Sequence, residues 1–258
     1  MKRILRGSIG ICILIAICFG CQPKEEKISL LISAAASLEY SLEEQIIPMF
    51  EELNPQIHVR GTYDSSGKLQ TQIEEGIEAD LFLSAATMQM DTLVEKDLVE
   101  VDSVVNLLEN KVVVITAADS KLEIVDFSDL IKANVIAIGD PNSVPVGQYS
   151  KEALENLGIW NMVQSKASFG SNVTEMLHWV VEGSAEAGIV YATDAATTDQ
   201  VKIVAKLPAE SLSTPVVYPV GIITATKHRE EAKQFLAFLQ TEKVLEVFEE
   251  YGFSRNQD

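Results

Sequence analysis

The chain has 258 residues, 47% of them hydrophobic, with only 8 prolines and a formal charge of −18. That is enough to bury a substantial core in one large or two smaller domains, which excludes overall disorder. No basic patch is present to release counterions from phosphates, so nucleic-acid binding is disfavoured.

Residues 1–20, MKRILRGSIGICILIAICFG, place Lys2, Arg3 and Arg6 before an uncharged run at 7–20. This reads as a secretory signal peptide, too short for a membrane span. It ends in Gly20-Cys21, a small residue directly before a cysteine, which resembles the lipobox of bacterial lipoproteins, although Cys18 stands where Leu is usual. Cys21 is therefore expected to be the lipid attachment point of an exported protein held in the periplasm or at the outer face of the cell membrane. Ordinary signal cleavage with a free Cys21 is the alternative. All three cysteines, Cys12, Cys18 and Cys21, lie in this segment, so a chain starting at Cys21 has no partner for an internal disulfide. Loss of Lys2, Arg3 and Arg6 takes the formal charge from −18 to about −21.

Residues 21–27 are read as a lipidated polar tether, and the folded part starts near Ile28. Apolar runs at 27–33, 57–63, 79–85, 111–117, 134–140, 187–192 and 201–207 have strand length and β-branched content. Amphipathic stretches at 38–53, 69–76, 149–157 and 173–182 lie between them. Such alternation predicts an α/β protein with largely parallel sheets. Two lobes fit the length, each a mostly parallel sheet flanked by helices, with crossings at VVVITA and at VVYPVGIIT (216–224) and a return of the helices at 229–250 to the first lobe. The expected lobes are 28–109 plus 221–258, and 110–220.

In open α/β sheets the ligand crevice lies beyond the carboxyl ends of the strands. Four strand-to-helix junctions there carry small or hydroxyl residues. In AAASLEYSLEE, Ser37 is placed as a helix N-cap. In YDSSGKLQTQIEEG, Ser65, Ser66 and Gly67 open a helix. In GDPNSVPVGQYSKEAL, the turn at Pro145, Val146 and Gly147 frees backbone N–H groups ahead of another. In FGSNVTEML, Ser171 or Asn172 caps a helix starting near Val173. Helix N-termini offer unpaired N–H donors and partial positive charge, so several converging on one cleft hold a small oxyanion without a formal cation. Each junction alone is an ordinary cap; the order and wording of all four together carry the functional reading.

AAASL, SSGKLQTQIEEG, ADLFLSA, GDPNSVPVGQYSKEAL and AGIVYATDA resemble, in order, the motifs of the molybdate-binding proteins of ABC transporters, over about 28–253. The resemblance implies a two-lobed, extracytoplasmic solute-binding protein, monomeric, closing around molybdate or tungstate and delivering it to a membrane permease. It implies hydroxyl and backbone N–H donors from Ser37 and Ser66, backbone N–H donors from Val146 and Val173, and the phenol of Tyr191. Val146 stands where Ala is familiar, and Gly67 where some members have Ser, so Ser66 is preferred to Ser65. No cofactor is implied, and molybdenum enters as an oxyanion rather than as a metal held by cation ligands. Asp140 and Asp194 are expected to shape loops, since a carboxylate repels a dianion.

Enzyme readings fare worse. GTYDSSGKL has five residues between its glycines and Leu69 after Lys68, so it is not a P-loop. No G-x-S-x-G or H-E-x-x-H occurs, and His58, His178 and His228 lack metal-ligand spacing. Glu39, Glu43, Glu44, Glu51 and Glu52 read as a solvated helix face, and Trp160 and Trp179 as packing residues. Two rivals stand: a binding protein for another oxyanion or a small phosphonate, which a cationic residue in the cleft would favour, and a surface lipoprotein of enzymatic or adhesive role.

Overall fold

A computed structural model describes residues 27–256; the signal segment, Cys21 and the tether to residue 26 lie outside them. The strands are β1 (Ile28–Ala35), β2 (Ile57–Asp64), β3 (Leu81–Leu83), β4 (Val105–Asn110), β5 (Val112–Ala117), β6 (Ile136–Gly139), β7 (Ala167–Gly170), β8 (Ala187–Tyr191), β9 (Val201–Lys206), β10 (Val216–Ile222) and β11 (Ser254–Arg255). They form a six-stranded sheet, order β11-β4-β10-β3-β1-β2, and a five-stranded sheet, order β7-β6-β8-β5-β9. The two-sheet α/β architecture expected from the sequence is present.

The sheets are mixed rather than mostly parallel. In the first, β1 runs parallel to β2 and β3, but β10 is antiparallel to β3 and β4. In the second, β6 runs parallel to β7 and β8, but β5 is antiparallel to β8 and β9. The antiparallel members are the strands that carry the chain between sheets. A parallel neighbour needs a long crossover, usually an α-helix, and neither crossing holds one. Lys111 alone joins β4 to β5, and residues 207–215 join β9 to β10. All of β10 pairs within the first sheet, so the expected boundary at 220/221 falls inside a strand.

The core follows from residue type. The run VVVI in β5 is fully buried on both faces, the pattern of a strand covered on either side, while Leu30 and Ile32 of β1 share one buried face. A smaller apolar cluster of Leu69, Phe82, Met90, Leu93 and Ile223 seats the helices Ser66–Glu74 and Thr87–Glu95 on the first sheet. The C-terminal helices Arg229–Leu239 and Glu242–Glu250 return to that sheet: Phe235 meets Phe50 edge-on at 4.9 Å between ring centroids, and Phe253 meets Tyr218 at 5.3 Å.

Sheet topology then positions the site. Parallel β1, β2 and β3 all end on one edge, with Ala35 opposite Asp64 and Ala34 opposite Leu83. Parallel β6 and β7 end together at Gly139 and Gly170, with β8 alongside β6 in the same sense. The carboxyl ends of the two parallel sets face each other across a cleft.

Candidate functional site

The cleft encloses only about 10 Å³ and is lined by Ala35, Ala36, Ser37, Asp64, Ser65, Ser66 and Ala85 from the first sheet's edge, and by Val144, Pro145, Val146, Val173 and Tyr191 from the second's. That is far below the ~300–1,000 Å³ of pockets for drug-sized ligands, so only a small solute suits the site. All five residues singled out in the sequence, Ser37, Ser66, Val146, Val173 and Tyr191, meet here. They arrive from five different junctions.

Three helices begin at the cleft: Ser66–Glu74, Pro145–Asn156 and Val173–Val181. The N–H groups of a first helical turn have no acceptor inside the helix, so Ser66, Val146 and Val173 turn donors toward the gap. Pro145 is itself the first residue of its helix rather than part of a preceding turn, a position that suits a residue without an N–H. Close approach by this helix depends on Gly147, where a Cβ would fall 2.1 Å from the Gly139 carbonyl oxygen at the end of β6. Asn172, not Ser171, caps the third helix: its Oδ1 accepts from the Glu175 N–H at 2.9 Å, and Glu175 Oε2 in return accepts from the Ser171 N–H at 2.7 Å.

Ser37 is not an N-cap. It lies inside a tight turn at Ala36–Leu38, and its hydroxyl meets the Tyr218 hydroxyl at 2.9 Å. Ser66 Oγ accepts from the Ala85 N–H at 2.9 Å, which leaves its own proton for the cleft. Ser65, set behind Ser66 in the sequence reading, is the N-cap of the same helix, yet its hydroxyl makes no cap bond. The residue is 4% exposed and its hydroxyl has no partner, which makes Ser65 a further candidate donor beside Ser66. Tyr191 ends β8 fully enclosed, its hydroxyl donating to the Ala85 carbonyl at a long 3.5 Å.

No lysine, arginine or histidine lines the cleft. Its one carboxylate, Asp64, is occupied: Lys68 Nζ lies 3.2 and 3.3 Å from its two oxygens, and Oδ1 also accepts from the Ser65 N–H at 2.8 Å and from Asn172 Nδ2 at 3.3 Å. The Asn172 bond crosses the cleft, as do Gly67 N–H to the Ser143 carbonyl at 3.0 Å and Gln89 Nε2 to Gln148 Oε1 at 3.2 Å. The two sides are thus held together in a closed arrangement.

Behind the cleft lies a buried polar set. Burial holds the phenols of Tyr191 and Tyr218 well above their ordinary pKa, so both remain protonated donors. Asp194, three residues after Tyr191, has its carboxyl pushed up to about 7 by burial, opposed by hydrogen bonds from its own and the Tyr191 backbone and from Thr193, and its Oδ2 has no partner. Asp140 likewise accepts local hydrogen bonds, from the Asn142 N–H at 2.9 Å and its side chain at 2.8 Å, that shape its loop. Among the described residues no cluster of three metal-ligating side chains occurs, and no helix is long and apolar enough to cross a membrane.

Two sheets joined by two crossings, with a small neutral cleft between their strand ends, define a solute-binding protein. The family model for bacterial extracellular solute-binding proteins matches residues 30–254, and the chain belongs to that family. It is 42% identical over 231 residues to a putative ABC transporter substrate-binding lipoprotein, YvgL, of Bacillus subtilis, covering 89% of this chain and 88% of that one. It is 37% identical over 228 residues to the molybdate-binding protein ModA of Haemophilus influenzae, covering 86% and 89%. The substrate-binding domain of a putative molybdenum ABC transporter from Clostridium difficile superposes with a TM-score of 0.69 at 36% identity, covering 90% of this chain and all of that one.

Asp194 has a measurable signature. With an ordinary pKa of 3.8 in the unfolded chain and about 7 in the fold, its neutral carboxyl stabilises the native state fully below pH 3.8. That contribution is lost as pH rises to about 7, by roughly 4 kcal/mol in all. Urea unfolding of Asp194→Asn is expected to show a gain over wild type at pH 8 that shrinks toward pH 4. Parallel pH profiles for the two proteins would mean that the Asp194 pKa does not change on folding.

Proposed function

We propose that this protein captures molybdate or tungstate between its two lobes and delivers it to the permease of an ABC importer. The lobes are taken as 28–110 with 216–256, and 112–206, closing about Lys111 and the 207–215 link, and Cys21 is taken as the lipid anchor of a monomer. The observation that carries this is the donor set: hydroxyls of Ser37 and Ser66, first-turn N–H groups of Ser66, Val146 and Val173, and the Tyr191 hydroxyl, which a bound oxyanion would draw from its long 3.5 Å bond to Ala85, converge on one small cleft that no cation lines.

The physical reasoning is one of compensation. A dianion leaving water needs several hydrogen bonds to its charged oxygens, each contributing roughly 1.5–3 kcal/mol, more than bonds between neutral groups. Three helix N-termini add partial positive charge without the desolvation cost of a buried lysine or arginine. The absence of a lining cation also weighs against a phosphonate rival. A tetrahedral oxyanion smaller than molybdate, such as sulfate, would not reach donors on both sides at once, which is the basis expected for selectivity. The molybdate-binding relatives in other bacteria and the YvgL lipoprotein support the same ligand and export route.

Calorimetric titration of the chain beginning after Cys21 tests this directly. One-to-one binding of molybdate and tungstate, with sulfate and phosphate far weaker, is expected; equal affinity for sulfate would contradict the cavity-size argument, and silence for both metal oxyanions would contradict the ligand. Ser37→Ala and Ser66→Ala should each cost roughly 1.5–3 kcal/mol of binding, and Ser66→Ala should also lower stability by about 1–3 kcal/mol because the buried Ala85 N–H loses its acceptor.

Closure gives a second expected outcome. A Cβ on Gly67 would sit 2.3 Å from the Ser143 carbonyl oxygen across the cleft, against backbone that cannot swing aside. Gly67→Ala should weaken oxyanion binding roughly tenfold or more. The ligand-free protein should be no less stable, because alanine favours the helix that Gly67 occupies. Unchanged affinity would show that the observed closure is not the binding form.

A further inference from the structure

The hydroxyl of Ser37 can face an anion in two ways, with its proton or with its lone pairs, and only the first attracts. Which one it presents is decided outside the cleft. Asn110, the last residue of β4, accepts the Lys111 N–H on Oδ1 at 2.8 Å. A backbone N–H can only donate, so the amide's other end is NH₂. Its two protons go to Thr193 Oγ1 at 2.9 Å and to the Tyr218 hydroxyl at 3.2 Å. Tyr218 OH lies 2.9 Å from Ser37 Oγ, a contact in which either hydroxyl can donate; with Tyr218 already accepting from Asn110, donation from Tyr218 to Ser37 gives each hydroxyl one bond accepted and one proton to give. In that sense of the chain Ser37 Oγ accepts from Tyr218 and its own proton is left for the cleft.

We propose that Asn110 and Tyr218 are positioning residues that fix the Ser37 hydroxyl as a donor toward the bound oxyanion, and that they tie this polarity to the hinge peptide at Lys111. The proposal rests on the oxyanion reading above. Lys111 is the single residue linking β4 to β5, and both its peptide groups are engaged: its N–H by Asn110, and its carbonyl by the Ala192 N–H at 2.8 Å, directly after Tyr191. Two of the proposed ligand hydroxyls, Ser37 on one side and Tyr191 on the other, are therefore each within a few bonds of the same hinge residue. Tyr218 reaches Ser37 because β10 shifts register between Tyr218 and Pro219, a bulge that re-aims the side chain beside a proline unable to donate to the ladder. Ordered chains of this kind strengthen their last donor and lose that gain when any member is removed.

The test is a double-mutant cycle with molybdate, using Tyr218→Phe, Ser37→Ala and the pair. Tyr218→Phe is expected to lower affinity roughly fivefold or more although the phenol touches no ligand, and the pair should bind no worse than Ser37→Ala alone. A purely structural role for Tyr218 would instead give losses that multiply in the pair, and that outcome overturns the relay, as does unchanged affinity in Tyr218→Phe. If Tyr218→Phe does not fold, the same cycle with Asn110→Ala in its place carries the same two outcomes. Failure of the wild-type protein to bind molybdate would overturn the ligand reading and the relay with it; binding by wild type with multiplicative losses overturns the relay alone.

Discussion

Holding a dianion inside a protein of formal charge −18 requires local positive potential where the global potential is negative, and backbone N–H groups at helix starts are the means available here. That requirement accounts for much else in the fold. Parallel strands must end together for several helices to begin together, and β1, β2 and β3 on one side and β6 and β7 on the other do so. Small residues must follow those ends so that the helix backbones approach, which is where Ala35, Ala36, Ser65, Ser66 and Gly147 stand. The carboxylate that does intrude, Asp64, is neutralised by Lys68 and by two N–H donors before it faces the cleft.

A second constraint follows from the first: donors split between two sheets form a complete shell only when the sheets are brought together. The hydrogen bonds across the cleft are mostly long, running from Gly67 to Ser143, Asn172 to Asp64, Gln89 to Gln148 and Tyr191 to Ala85. Contacts of this size are compatible with reopening, since each neutral hydrogen bond contributes only about 1 kcal/mol net. Behind the cleft the chain crosses between the sheets at Lys111 and at 207–215, and Lys111 is hydrogen-bonded to Asn110 and Ala192 beside the buried polar set. Hinged closure in binding proteins uses that combination of a closable mouth and narrow crossings.

Much of this was legible in the sequence because strand-to-helix junctions write themselves in residue type. VVVITA and NVIAIGD announced buried strands, and SSGKL, DPNSVPVG and GSNVTE announced helix starts with small polar residues, so the junctions could be located from residue type, while the choice of donors at them, and Tyr191, came from the family resemblance. What was not legible depended on tertiary context. VNLLEN in β4 and ASFG in β7 lack the apolar alternation of strands, since Asn and Glu interrupt the first and the second is four residues long. The mixed sense of the sheets could not be read from alternation, because antiparallel pairing here arises from where the chain crosses. Ser37 looked like a cap because Ser before a helical pattern usually is one; its partner Tyr218 lies 181 residues away. Ser65 and Ser66 are chemically the same, and only burial without a partner separates Ser65 from an ordinary cap.

The central claim is that neutral donors from both lobes, and no cation, hold the oxyanion. A crystal structure of the protein grown with molybdate, with the molybdenum located by anomalous scattering, tests it most directly. The account expects one molybdenum site between Ser37, Ser66, Val146, Val173 and Tyr191, with anion oxygens about 2.7–3.2 Å from those hydroxyls and backbone nitrogens and Lys68 still paired with Asp64. A molybdenum site elsewhere, or an anion bound chiefly by a Lys68 that has left Asp64, would contradict it.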